Sequence, residues 1–182
     1  MISIVIGKSN TGKSLLAEKL ALETGDEKIY YLATMNVMDD AGRERVEKHR
    51  KQREGKGFIT IEKQKDISCV LDEKSDAKSS TILLECVANL VSNYIFDDPD
   101  FDIGNADFEK ACDDIASKAA NEIKALSEKV HNLIIVTNEY DRDGEGYDDA
   151  TRFYVKTLSR TNELITPFCD EVHDLLKENE GN

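Results

Sequence analysis

The sequence has no tryptophan, and only 7% of its 182 residues are aromatic, against a hydrophobic share of 40%. A core made from it must be mostly aliphatic, as a parallel sheet covered by helices prefers. No apolar run approaches the length of a membrane span, and Met1 leads straight into a strand-like run without a basic stretch. Neither a transmembrane helix nor a secretory leader is expected, and the cytoplasm is the expected compartment. Cys69, Cys86, Cys112 and Cys169 are widely separated and form no C-x-x-C pair, so neither a zinc site nor a disulfide framework is indicated. Buried free thiols are the expectation. Positive charge is the minority: 24 Lys and Arg stand against 37 Asp and Glu, a net charge of −13 that opposes non-specific binding to nucleic acid or anionic lipid. A small anionic ligand must therefore find local positive groups. There is no internal repeat or long low-complexity segment, and the length suits one domain over residues 1–182, with a frayed tail at 177–182.

What the chain does contain begins at once. An apolar run from Ile2 to Ile6 breaks into a glycine-bounded loop and then into a helical pattern from Leu15 to Leu22. Gly7, Lys8, Ser9, Asn10, Thr11, Gly12, Lys13 and Ser14 match G-x-x-x-x-G-K-[ST] at every fixed offset, in the strand-to-helix context the motif needs. The glycines let the loop curl so that backbone N–H groups point inward, and the helix start adds its positive dipole end. A polyphosphate fits such a cradle. Lys13 would reach the β- and γ-phosphates, and the Ser14 hydroxyl would ligate Mg²⁺, which needs a further carboxylate or water from elsewhere.

Further strands are expected at 28–34, 58–62, 80–85 and 133–138, separated by helical patterns near 39–54, 87–96, 108–129 and 149–166, with Pro167 helping to end the last. This alternation predicts an α/β fold, a P-loop NTPase-type three-layer sandwich of RecA-like kind with a mostly parallel central sheet. Ligands bind outside the carboxyl ends of such strands. Ser14, Thr34, Glu85 and the Asn138-Glu139 pair should converge there, with Glu85 as the magnesium-facing carboxylate.

The stretch from Asp39 to Glu54 has too few apolar positions for a core helix. It nevertheless concentrates Arg43, Arg45, Lys48, Arg50, Lys51 and Arg53 in an acidic protein, where an anion could use them. His49 sits among them. On spacing alone such a histidine is ordinarily a solvated side chain. It could also be a nucleophile that attacks the α-phosphate of a nucleotide, with the arginines stabilising charge and disfavouring the imidazolium.

The wider pattern resembles the bifunctional adenosylcobinamide kinase / adenosylcobinamide-phosphate guanylyltransferases of cobalamin biosynthesis. The likeness runs from the loop to about Val172. Beyond the loop it rests on Tyr31-Leu-Ala-Thr34 followed by Asp40, Arg45-Val-Glu-Lys-His49-Arg50 with Arg53, Leu83-Leu-Glu-Cys86 with Asn89 and Asn93, Val136-Thr-Asn-Glu139, and Asn162 followed by Asp170-Glu-Val172.

The resemblance implies two reactions: phosphorylation of the aminopropanol hydroxyl of adenosylcobinamide by a nucleoside triphosphate, ATP or GTP, then transfer of GMP from GTP to adenosylcobinamide phosphate through a guanylylated histidine. His49 falls on that histidine. The match also assigns guanine-nucleotide contacts to Thr34, Met35, Asn36, Arg50, Lys51, Gln52, Arg53, Glu62 and Glu85. It implies a homotrimer. The chain departs from the pattern in three places. Tyr140 to Tyr147 replaces a Gly-Ile-Val-Pro segment found in some members, where corrinoid contacts would lie; Ala41 replaces a common Glu; and Val172 to Asn182 replaces the usual Gly-Ile-Pro ending, so the last edge strand should be short or absent. A P-loop kinase of another small alcohol and a nucleotide-binding module without turnover remain the alternatives.

Overall fold

The aliphatic run at the start forms strand β1, Ile2–Gly7, and the loop delivers the chain into helix α1, Lys13–Glu23. Strand β2 is Lys28–Ala33 and the basic helix α2 is Asp40–Arg53. Strands β3, Phe58–Glu62, and β4, Ser80–Glu85, are followed by helices α3, Val87–Phe96, and α4, Phe108–Ser127. Strand β5 is Asn132–Asn138, helix α5 is Asp149–Ile165 and strand β6 is Glu171–Asp174. This computed structural model describes residues 1–37, 40–98, 103–104, 107–140 and 146–176. The Ala41 and Arg45 side chains, loop residues 141–145 and the expected frayed tail 177–182 lie outside the described residues.

The six strands form one sheet in the order β3-β2-β4-β5-β1-β6. Every pairing is parallel, so the mostly parallel sheet expected from sequence is wholly so. Strands β4 and β5 and all but the first residue of β1 are buried at consecutive positions, apart from the ends Glu85 and Asn138. Consecutive burial requires both faces of the sheet to be covered, which makes the three layers. Helix α1 packs on β1, β4 and β5, while α3, α4 and α5 pack on one another and α3 also lies on β5. The core is aliphatic, with Phe153 among the few aromatic rings fully inside it.

The last edge strand is short, as the altered ending suggested, but present. A proline-bearing 3₁₀ turn at Thr166–Phe168 ends α5, and Asp170 then ties to Ile2 through both its backbone N–H and its carboxylate, each at 2.7 Å. That clamp sets the register of β6 on β1. One expectation fails: Cys69 is exposed, because it lies on a 3₁₀ turn at Ile67–Cys69 outside the layers. Cys86 and Cys112 are buried as expected, and Cys169 is only partly buried. Among the described residues, no helix is long and apolar enough to cross a membrane.

Candidate nucleotide-binding and transfer site

The cradle between β1 and α1 depends on two glycines for different reasons. Gly12 has φ +86°, a left-handed conformation that side chains resist. Gly7 is excluded from substitution by space: a Cβ there would meet Thr11 Oγ1 at 2.6 Å. The Thr11 hydroxyl and the Lys13 ammonium both donate to the Lys8 carbonyl, at 2.9 and 2.6 Å. Burial disfavours the Lys13 ammonium and holds its pKa below the ordinary lysine value, against the opposing pull of Cys86 and Glu85. A phosphate would supply the charge that this buried cation lacks.

The Ser14 hydroxyl donates to Glu85 Oε1 at 2.8 Å, while Glu85 Oε2 is buried with no hydrogen-bond partner among the described residues. Burial raises the Glu85 pKa, because the carboxylate is removed from water; the Ser14 bond and Lys13 oppose this. A buried carboxylate with a free oxygen beside a loop hydroxyl suits a hard cation. No cluster of three or more His, Cys, Asp or Glu side chains able to hold a metal occurs among the described residues. Ser14 and Glu85 are the residues here that could hold a magnesium ion.

Neighbouring strand ends are sewn to this point. The Thr34 N–H donates to the Glu85 carbonyl at 3.0 Å, and the Thr34 hydroxyl donates to the Cys86 carbonyl at 2.8 Å. The buried Asn93 amide donates to the carbonyls of Thr34 at 2.7 Å and Gln64 at 2.9 Å, fixing the loops after β2 and β3. On the other side the Glu139 N–H donates to the Gly7 carbonyl at 3.3 Å. The convergence of Ser14, Thr34, Glu85 and Asn138-Glu139 expected from sequence is what the parallel register produces.

Helix α2 brings the histidine. His49 is half-buried, its Nδ1 is enclosed without a partner among the described residues, and the ring lines a cavity of about 60 Å³ together with Tyr31, Arg53, Glu62 and Glu85. Its pKa lies below 6.5, mainly because burial disfavours the imidazolium and secondly because Arg53 is close; Glu18 opposes. From sequence the neighbouring cations are the expected cause, whereas in the fold burial contributes most. Arg53 is 7% exposed and its guanidinium carbon lies 3.3 Å from the centre of the Tyr31 ring, with Nε and Nη1 unpartnered among the described residues. Arg50 is paired with Glu62. An adjoining groove of about 470 Å³ is lined by Met35, Asn36, Arg43 and again Arg50 and Glu62.

The fold thus brings His49, Arg50, Arg53, Glu62, Glu85 and Met35 to one cavity next to the loop. Other candidates point elsewhere. Lys51 is exposed on an outer groove with Glu54 and Gly57, the Gln52 amide donates to Glu18, and the Asn36 amide donates to Asp97 at 3.2 Å on the rim. Two residues at the site have no role expected from sequence: Glu18, an acid on the buried side of α1 between Ala17 and Ala21, and Tyr31, on which Arg53 stacks. The acid among small buried residues was a readable signal; the stacking was not.

A parallel sheet whose first strand opens into this loop, with a carboxylate from a second strand bonded to the loop serine, defines a P-loop NTPase-type nucleotide-binding protein. Residues 3–177 match the family described as CobU: Cobinamide kinase / cobinamide phosphate guanyltransferase, and the chain belongs to that family. The chain is 27% identical over 173 residues to the bifunctional adenosylcobalamin biosynthesis protein CobU of Escherichia coli, covering 94% of this chain and 93% of that protein. It is 28% identical over 178 residues to the protein of the same name from Salmonella typhimurium, with the same coverage. Bifunctional adenosylcobalamin biosynthesis protein CobP of Pseudomonas aeruginosa is 25% identical over 173 residues, covering 94% of this chain and 91% of that protein. Among solved structures, an ATPase domain superposes with a TM-score of 0.49 at 10% identity, covering 95% of this chain and 68% of that one. Flagellar accessory protein FlaH from Methanocaldococcus jannaschii gives 0.38 at 15% identity, covering 86% and 66%.

Proposed function

We propose that this chain phosphorylates adenosylcobinamide and then transfers GMP from GTP to adenosylcobinamide phosphate, giving adenosylcobinamide-GDP, with His49 as the guanylylated residue. One observation carries the reading: His49, with Nδ1 uncommitted, lines the same cavity as Glu85, whose other contact is the loop serine Ser14. In the first half of the transfer, an imidazole nitrogen attacks the α-phosphorus of GTP and forms an N–P bond. The bond from the α-phosphorus to the bridging oxygen breaks, and its electron pair leaves with pyrophosphate. In the second half, a phosphate oxygen of adenosylcobinamide phosphate attacks the same phosphorus and the N–P bond breaks.

The side chains have separable tasks. Lys13 and the loop N–H groups hold the phosphates of ATP or GTP, and Gly7 to Ser14 form their cradle. Ser14 and Glu85 would hold Mg²⁺, which neutralises charge that develops on the departing phosphate. Arg53, with two donor groups unpartnered among the described residues, lines the same cavity as His49 and would donate to the α-phosphate there. A cavity of about 60 Å³ is far smaller than a nucleotide, so the base and ribose belong in the adjoining groove of Met35, Asn36, Arg50 and Glu62. Thr34 is buried with its hydroxyl committed to the Cys86 carbonyl and would support that groove from behind. Lys51 and Gln52 would contact nucleotide only by leaving their present positions. The family resemblance supports action as a homotrimer.

Incubation with α-labelled GTP tests the proposal. Wild type should acquire an acid-labile, base-stable label, and His49→Ala should acquire none. Triphosphate turnover untouched by His49→Ala, with no label on wild type, would leave a P-loop kinase of another alcohol. Tight GTP binding with neither label nor phosphate release would leave a binding module.

A further inference from the structure

Helix α2 is poorly suited to hold itself in place. Val46 is its one large aliphatic residue, and α2 makes only sparse contact with every other element among the described residues. What it has instead is a buried acid on another helix. Glu18, one turn beyond Ser14 on α1, is 2% exposed. A carboxylate is rarely so buried unless it is paired. Both of its oxygens face the end of α2 and the turn after it: the Gln52 amide donates to Oε1 at 3.1 Å and the Lys56 ammonium to Oε2 at 2.7 Å. Counted from His49, positions 52 and 53 fall on the neighbouring turn of the same helical side, and Lys56 lies in the turn that follows the helix. This end of α2 presents His49 and Arg53 to the cavity, while Gln52 and Lys56 reach Glu18.

We propose that Glu18 is a positioning residue: its buried carboxylate clamps the carboxyl-terminal end of α2 to the P-loop helix and so holds the His49 imidazole in register with a nucleotide seated on the loop. This rests on His49 being the guanylyl acceptor. Glu18 lies on the same helix as Lys13 and Ser14, so the clamp ties the histidine to the element that holds the phosphates rather than to the sheet. Removing the pair should leave the cradle intact and displace the nucleophile, and a misplacement of about 1 Å is enough to slow a reaction by ~100-fold.

The test uses Glu18→Gln, which removes the charge at nearly constant volume, and Lys56→Met, which removes the partner at a more exposed position. Each variant is compared with wild type in GTP dissociation constant, single-turnover labelling from α-labelled GTP at saturation, and amide hydrogen exchange along residues 46–53. The clamp predicts labelling slowed by about 10-fold or more, GTP affinity within about threefold of wild type and faster exchange in α2. General destabilisation would weaken nucleotide binding and labelling together, so a parallel loss of both overturns the proposal. Labelling at the wild-type rate with unchanged exchange overturns it as well. If wild type itself takes no label, the histidine reading fails, and the exchange measurement alone decides whether Glu18 holds the helix. Should Glu18→Gln fail to fold, Lys56→Met is judged by the same outcomes.

Discussion

The Ser14 hydroxyl donates to Glu85 Oε1 at 2.8 Å, joining the first turn of α1 to the end of a strand 71 positions away. The contact leaves Glu85 Oε2 buried and unpartnered among the described residues. An ionised carboxylate in that position is costly until a cation reaches it. Glu85→Gln should therefore abolish the gain in GTP affinity that Mg²⁺ provides, while affinity measured in excess chelator stays near the wild-type value. Labelling in the presence of Mg²⁺ should fall by ~100-fold or more. Calorimetric titration with and without the metal, alongside the labelling assay, checks both.

The pH dependence follows from the burial of His49. Attack requires neutral imidazole, and the folded-state pKa lies below 6.5, so labelling should be level above pH 6.5 and decline as pH falls through the lowered pKa. The same shift affects stability. Below pH 6.5 the unfolded chain binds the proton first, so this histidine's contribution is intact above that pH and is lost progressively as pH drops. His49→Asn should lose the labelling and flatten that part of the stability profile, as seen by urea denaturation across the pH range on either side of 6.5.

Gly7 and Gly12 should fail for separable reasons. Gly12→Ala forces a side chain into φ +86° and should destabilise the protein by ~1–2 kcal/mol as well as weaken GTP binding. Gly7→Ala collides with Thr11 Oγ1 at 2.6 Å, so the added Thr11→Ala should recover part of the lost GTP affinity. Thr11→Ala should give no such recovery to Gly12→Ala. Equilibrium unfolding and GTP titration of the single and double variants make the comparison.

Arg53 and Tyr31 form a stack at 3.3 Å that lysine cannot reproduce. Arg53→Lys should lower stability by ~1 kcal/mol. In a Tyr31→Leu background the same substitution should cost measurably less, because the stack is already gone. A double-mutant cycle by chemical denaturation measures the coupling.

Much of the fold was legible because its signals are local. The strand ranges at the start and at 80–85 recur in the structure because buried parallel strands read as continuous apolar runs. The strand at 58–62, an edge strand with no fully buried residue, is legible from its alternation, and the helix at 87–96 recurs as well. The loop was legible for the same reason: its glycines and lysine answer to offsets along one short stretch. Less legible were the choice of partners and the degree of enclosure. Gln52 reads as a nucleotide contact by its place in a motif, and its amide faces Glu18. Cys69 reads as a buried thiol by its residue type, and it is exposed on a turn.

The order of residues by itself determined a phosphate cradle, an alternation of strands and helices, and a basic helix carrying a histidine, because hydrophobic period and glycine placement act over a few positions. Only the tertiary structure decided that His49 is enclosed rather than solvated, that Arg53 lies on Tyr31, and that Glu18 is the acid against which α2 closes. These depend on which distant side chains the parallel register carries to one end of the sheet, and burial and ion pairing arise only between groups that the fold has brought into contact.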